Sequence, residues 1–234
     1  MVSNWLEYAI LKVSMRKIPL AVGESYHIFT RSIADFKVFN NHADFLRMQQ
    51  LMKYYTVDCD LKFSKFIELE ICQQNGFDIA FNNISKDKEK SVQIIAYCLM
   101  PTHIHLILKQ LSDNGISKYM NNILNGYSKY FNTRHKRKGP LWESRFRSVL
   151  VNSDEQLLHL TRYLHLNPVT ARLINKPEDW EFSSYNEFIG KDNNSEICQF
   201  DDILDIKPAS YRKFVIDRIS YQRELAKIKN LIMD

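Results

Sequence analysis

Apolar positions along this chain repeat with two periods, and the switches between them mark the elements. Residues 41–55 place Phe45, Met48, Leu51, Met52 and Tyr55 at helical intervals, leaving one apolar face. Residues 117–130 read the same way, residues 61–74 predict a further helix followed by the polar run 82–90, and residues 4–17 also read as helical. Residues 92–99 and 103–108 are short apolar runs joined by Met100-Pro101-Thr102, and they predict two strands. Residues 21–39 alternate enough for an early strand with a turn around 33–37, and residues 146–151 predict another. Strand, helix, two strands, helix, strand in that order predicts an α+β fold with helices packed on an antiparallel sheet.

The next helix announces its own start. Ser153 followed by Gln156 makes a capping box, in which hydroxyl and amide satisfy backbone N–H groups that have no partner inside the helix. Leu157, Leu160 and Leu164 give it a buried stripe, and Pro168 is expected to kink or end it near Asn167. Beyond lie an aromatic-rich turn at 180–188, a polar linker at 190–196 and a helical tail at 209–233, with no internal repeat.

Composition narrows the class. With 234 residues, 45% hydrophobic and 25% charged, the chain can bury a sizeable core and is neither a disordered tail nor a fibre. Only 6 glycines are present, and neither G-x-G-x-x-G nor G-x-x-x-x-G-K occurs, which argues against nucleotide-driven chemistry. Cys59, Cys72, Cys98 and Cys198 form no C-x-x-C pair and suit a reducing cytoplasm. The apolar stretch at 94–100 is far shorter than the ~20 residues of a membrane span, and residues 1–10 carry Glu7 and no early basic residue, unlike a signal peptide. A soluble, cytoplasmic protein is expected.

Net charge is +5, but its distribution is uneven. Residues 127–147 hold Lys129, Arg134, Lys136, Arg137, Lys138, Arg145 and Arg147 against Glu143 alone. These cations alternate with Tyr127, Tyr130, Phe131, Trp142 and Phe146, a mixture suited to single-stranded nucleic acid: charge for phosphates, rings for unstacked bases. A solvated helix end followed by a basic turn carries the same pattern, and Trp142 fits a core anchor as well as a stacking platform.

Two small constellations carry candidate chemistry. His103-Ile104-His105 lies in a predicted strand, so both imidazoles share one face while Ile104 enters the core; two such imidazoles are half of a metal site, or an exposed pair. Tyr163 and Asn167 stand four residues apart on one helix face, where a phenol can attack phosphorus and an amide can complete a metal's coordination. The alternative is a tyrosine packed on the core and an asparagine ending the helix. His159, one turn earlier, is a candidate proton partner or a surface residue, His135 a candidate phosphate contact, and His165 receives no role.

Taken together, AYCLMPTHIHLIL at 96–108, GPLWESRF at 139–146, RYLHLNPVTARL at 162–173 and EDWEFSSYNEFIG at 178–190 resemble the single-tyrosine transposases of insertion sequences, the IS200-like family with a His-hydrophobic-His motif. The branch most similar is that of the REP-associated tyrosine transposases, and the likeness covers 23–190. It implies a ferredoxin-like antiparallel sheet flanked by helices, in a domain at 22–190 with extra helical segments at 1–21 and, after a linker, at 191–234. It further implies that His103, His105 and Asn167 hold Mg²⁺ or Mn²⁺, and that Tyr163 cleaves and rejoins single-stranded, hairpin-flanked DNA through a 5′-phosphotyrosine. The basic residues of 129–147 and Trp142 are then the expected DNA contacts. Either a homodimer exchanging the tyrosine helix or a self-sufficient monomer fits. Two alternatives stand beside it: a domesticated relative that binds structured nucleic acid without cutting, and a metal-dependent phosphoesterase in which His103 and His105 activate water.

Overall fold

The computed structural model describes residues 19–191, 197–219 and 221. The helix expected at 4–17, most of the polar linker and most of the C-terminal tail lie outside these residues. The chain runs through β1 (Ser25–Arg31), a 3₁₀ turn at Ile33–Asp35, α1 (His42–Tyr54), α2 (Phe63–Phe66), α3 (Glu70–Asn75) and α4 (Phe77–Ser85). It continues through the hairpin β2 (Val92–Met100) and β3 (His103–Gln110), then α5 (Gly115–Arg134), β4 (Arg147–Leu150) and α6 (Asp154–Thr170). A 3₁₀ turn at Pro177–Asp179, α7 (Tyr185–Phe188) and α8 (Pro208–Ile216) complete the described elements.

The four strands form one antiparallel sheet in the order β2-β3-β1-β4. With α1 and α5 as crossovers this is the expected ferredoxin-like α+β fold. Each face of the sheet is covered. Ile28, Ile104, Leu106, Leu108, Tyr97 and Leu99 point into a core shared with α1 and α5. Ala96, Cys98, Met100 and Ile107 point the opposite way, into a core with Leu157, Leu160 and Leu164 of α6 and Tyr211 and Val215 of α8. A bulge between Ile94 and Ala96 turns both Ile95 and Ala96 toward α6, so that all of β2 is buried.

Several sequence expectations need correction. The early strand covers only Ser25–Arg31, and the turn expected after it is the 3₁₀ segment in which Ala34 and Asp35 adopt φ of 51° and 52°. The helix expected at 61–74 is broken, because the backbone turns extended at Leu69 and reaches φ 85° at Gly76; α4 then runs into the supposed polar break, burying Ala80 and Phe81. Helix α6 passes through Pro168 to Thr170. A proline in the last turn removes one hydrogen bond, and the end is closed instead by Leu173 N–H to Pro168 O (3.0 Å) and Arg172 N–H to Val169 O (3.1 Å), with Arg172 left-handed at φ 58°. Half of the capping box is as read, with Gln156 N–H donating to Ser153 Oγ (3.1 Å); the return bond is displaced by one residue, Gln156 Oε1 accepting from Asn152 N–H (2.7 Å) rather than from Ser153 N–H.

His165, given no role from the sequence, fixes α6 to its surroundings. Its ring is fully buried, with Nδ1 2.7 Å from Tyr211 Oη on α8 and Nε2 2.8 Å from Ser184 Oγ. Ser184 in turn accepts from the Tyr97 N–H (2.9 Å) and, with Phe182, hydrogen-bonds along β2 and covers that edge strand. Burial pushes His165 down to about 3, so it stays neutral in the folded protein. The unfolded chain takes up that proton below its ordinary pKa and the folded one does not, so this histidine costs stability as pH falls from about 6.5. His165→Phe removes one hydrogen bond from each of two buried hydroxyls, which keep Thr161 and Tyr97 as partners, and should lower the unfolding free energy by about 1 to 3 kcal/mol in urea titrations; an unchanged midpoint would remove His165 from this role.

Candidate active site

Strand alternation sets out the site. His103 and His105 share the face under α6, while Ile104 is buried on the other side. Their rings lie 5.0 Å apart at 88°. Because α6 crosses this face, the Tyr163 ring stands edge-on to His105, 5.8 Å away at 85°. A third imidazole, His27 of β1, is 6.4 Å from Tyr163, and its Nε2 lies 3.1 Å from His105 Nδ1. His103 Nδ1 is held at 2.9 Å by Thr102 Oγ1.

Burial decides the protonation of these groups. His103 is pushed down to about 4 by burial first and then by the nearby Arg31 charge, with Asp35 opposing. His105 falls well below its ordinary value through burial, His27, His103 and Arg31, and burial takes His27 to about 4. All three are therefore neutral imidazoles with a lone pair at neutral pH. The Tyr163 phenol is raised by burial, with Cys98 adding and Arg31 opposing. Arg31 is the cross-strand partner of His103, and its guanidinium lies 3.5 Å from the Asp35 carboxylate.

Asn167, one helical turn beyond Tyr163, has its side-chain Nδ2 buried without a hydrogen-bond partner among the described residues. No group of three or more His, Cys, Asp or Glu side chains able to hold a metal occurs among the described residues. Two neutral imidazoles offer nitrogen lone pairs on this face, and the Asn167 amide could join them only through its Oδ1, the unpartnered Nδ2 being an N–H donor; a set of that kind suits a hard divalent cation with positions left over for phosphate oxygens. His159 is not brought to the phenol: its Nδ1 is 2.7 Å from Arg162, and its ring lies against Phe214.

The basic segment divides. Lys129 is exposed on α5, which covers the opposite sheet face. Arg134 pairs with buried Asp44 (3.5 Å) and Tyr130, while Arg137 holds Asn132 Oδ1 (3.1 Å) and Pro140 O (2.8 Å). The chain then returns beside the site, with Glu143 N–H bonded to Arg31 O (3.0 Å). Lys136, Lys138, Arg145 and Arg147 are exposed, and Arg147 sits opposite Phe29, in the same cross-strand row as His105.

Trp142 is not a stacking platform. It is 9% exposed, donates Nε1–H to Leu124 O (3.3 Å) and packs near Tyr127, so its faces are unavailable to a base. Tyr127 and Phe131 are buried as well, the helical face of α5 having taken them inward.

Residues 70–167 match the family model for IS200-like transposases. That span contains both strand histidines, Tyr163 and Asn167, as the resemblance in the motifs implies. A Haemophilus influenzae protein assigned to the REP-associated tyrosine transposases is 27% identical over 105 residues, covering 40% of this chain and 59% of that protein. The chain thus spans about three fifths of the length of that relative. A solved structure of a REP-associated tyrosine transposase bound to a REP hairpin aligns with a TM-score of 0.51 at 15% identity, over 84% of this chain and 96% of the other. This likeness establishes the ferredoxin-like fold. No helix among the described residues is long and apolar enough to cross a membrane.

Sequence reasoning missed His27 and Arg31. Alternation within residues 25–31 puts them on one face, but only the β1–β3 register shows that this is the histidine face. For the buried tryptophan the expected outcome is structural: Trp142→Ala should lower the unfolding free energy by about 3 to 5 kcal/mol, read by denaturant titration. Unchanged stability with weakened DNA binding would restore the stacking role.

Proposed function

We propose that this protein is a divalent-cation-dependent transposase or nickase, cleaving and rejoining single-stranded, hairpin-flanked DNA through Tyr163. The observation that carries this reading is the phenol of α6 standing edge-on to His105, whose ring neighbours that of His103 on the same strand, within a single chain. His103, His105 and Asn167 would hold Mg²⁺ or Mn²⁺, which when bound polarises the scissile phosphate and offsets its charge. The neutral imidazoles suit ligation and cannot serve as general acids at neutral pH.

The remaining chemistry belongs to the chain. Burial keeps the Tyr163 phenol protonated until substrate arrives, and the positive charge of Arg31 favours the phenolate as the proton leaves. Tyr163 Oη forms a bond to phosphorus while the bond to the 3′ oxygen breaks, and that oxygen departs as a 3′-OH after taking up a proton. The DNA is left as a 5′-phosphotyrosine, another phosphate diester, so a different 3′-OH can reverse the step and join strands without ATP. This agrees with the lack of a nucleotide-binding loop.

Arg145 and Arg147, which bring positive charge to the site end of the sheet, would contact phosphates beside the cleavage point. Lys129, Lys136 and Lys138, with the exposed parts of Arg134 and Arg137, would hold the hairpin or its flank. A structural relative solved with a REP hairpin supports that class of DNA. Because Tyr163 reaches its histidines within one chain, the site is proposed to act in cis, without helix exchange.

The test uses hairpins with single-stranded flanks taken from the DNA beside the gene, 3′-labelled, with Mn²⁺ and a denaturing gel. A label shifted to protein size is expected, abolished by chelator and reduced about a thousandfold or more in Tyr163→Phe. Cleavage retained in Tyr163→Phe would instead point to water activated at the two histidines. Hairpin binding with no cleavage by the wild-type protein would leave a DNA-binding relative.

A further inference from the structure

We infer that His27 is a positioning residue that fixes the tautomer and ring orientation of His105, so that His105 presents the lone pair of Nε2 to the cation site. The inference rests on the proposed role of His105 as a ligand. His27 and His105 lie on the two central strands, one diagonal step apart, since His27 pairs with Ile107 and Phe29 with His105. Both are buried, at 7% and 8% exposure, and their rings stack 5.3 Å apart. Phe29 closes the arrangement, 5.0 Å from His27 and 6.1 Å from His105.

Only one of the two nitrogens in the 3.1 Å contact can carry the hydrogen. When His105 Nδ1–H donates to His27 Nε2, His105 Nε2 is left with its lone pair and can ligate. The reverse assignment protonates His105 Nε2 and blocks it. His103 is held through the same atom, with its Nδ1 2.9 Å from Thr102 Oγ1. Both imidazoles are therefore gripped at Nδ1, by a neighbouring hydroxyl in one case and by a histidine from another strand in the other. That is the arrangement in which outer partners orient metal-binding histidines and raise their basicity.

Two readouts test this. In cation-free protein, ¹⁵N shifts of the His105 ring should show a proton on Nδ1 and none on Nε2, and His27→Leu should convert this to a mixture. Mn²⁺ affinity, measured by calorimetry, should fall about ten- to a hundredfold in His27→Leu and stay within about threefold of wild type in His27→Gln. Glutamine places its Oε1 as many bonds from Cβ as histidine places Nε2, so it supplies the same acceptor. Should His27→Leu fail to fold, the ring shifts of the wild type and the glutamine variant still decide. A proton on His105 Nε2 in the wild type, or Mn²⁺ affinity unchanged in His27→Leu, overturns the inference. Equal loss in the leucine and glutamine variants also overturns it, because His27 would then be a ligand itself. If His103→Ala loses Mn²⁺ while His27→Leu does not, the inference fails and the proposed function stands; a wild-type protein that binds no Mn²⁺ overturns both.

Discussion

Across the two central strands Thr30 pairs with Ile104 and Phe29 with His105, and everything in the site depends on that register. A slip of one residue would turn His103 and His105 into the core beneath α1 and α5 and bring Ile104 to the face under α6. The slip is prevented by the core itself. Ile104, Leu106 and Leu108 are completely buried on one face, so exposing them would cost about 1.5 to 3 kcal/mol each. The hydrophobic alternation of β3 thus stabilises the fold and also places the imidazoles.

The second requirement is that α6 lie where its phenol meets those rings. Its leucine stripe supplies the attraction, and polar ties around it set the position. His165 links the helix to Tyr211 and Ser184, and Ser184 is bonded to the backbone of β2. The segment after α6 returns along the edge of β2, where Leu99 N–H bonds to Phe182 O (2.9 Å) and Trp180 Nε1–H to Leu99 O (3.0 Å). An edge strand is covered and the tyrosine helix is fixed by the same residues. The expected boundary at 191 is accordingly no break in packing, since Leu204, Tyr211 and Val215 are buried in the α6 core.

What the sequence made legible was local or periodic. The succession of strands and helices along the chain, the shared face of His103 and His105, the start of α6 and the spacing of Tyr163 and Asn167 all follow from patterns within a few residues. The misreadings arise where distant contacts decide. Pro168 stays helical because Leu173 and Arg172 close the turn behind it, and Trp142 turns inward because α5 offers it the Leu124 carbonyl. His27 and Arg31 lie in none of the quoted motifs, and His165 lies in one without a role assigned there; each gains its role from a partner on another element, visible only once strand register and helix docking are known.

The central claim is that one phenol, Tyr163, takes the DNA strand. Its most direct test is to proteolyse the covalent complex, digest the DNA to a short remnant and locate the modified tyrosine by mass spectrometry. The account predicts a nucleotide remnant on the peptide containing Tyr163 and on none of the other 11 tyrosines of the chain. A remnant on a different tyrosine, or strand cleavage with no protein-bound remnant, would contradict it.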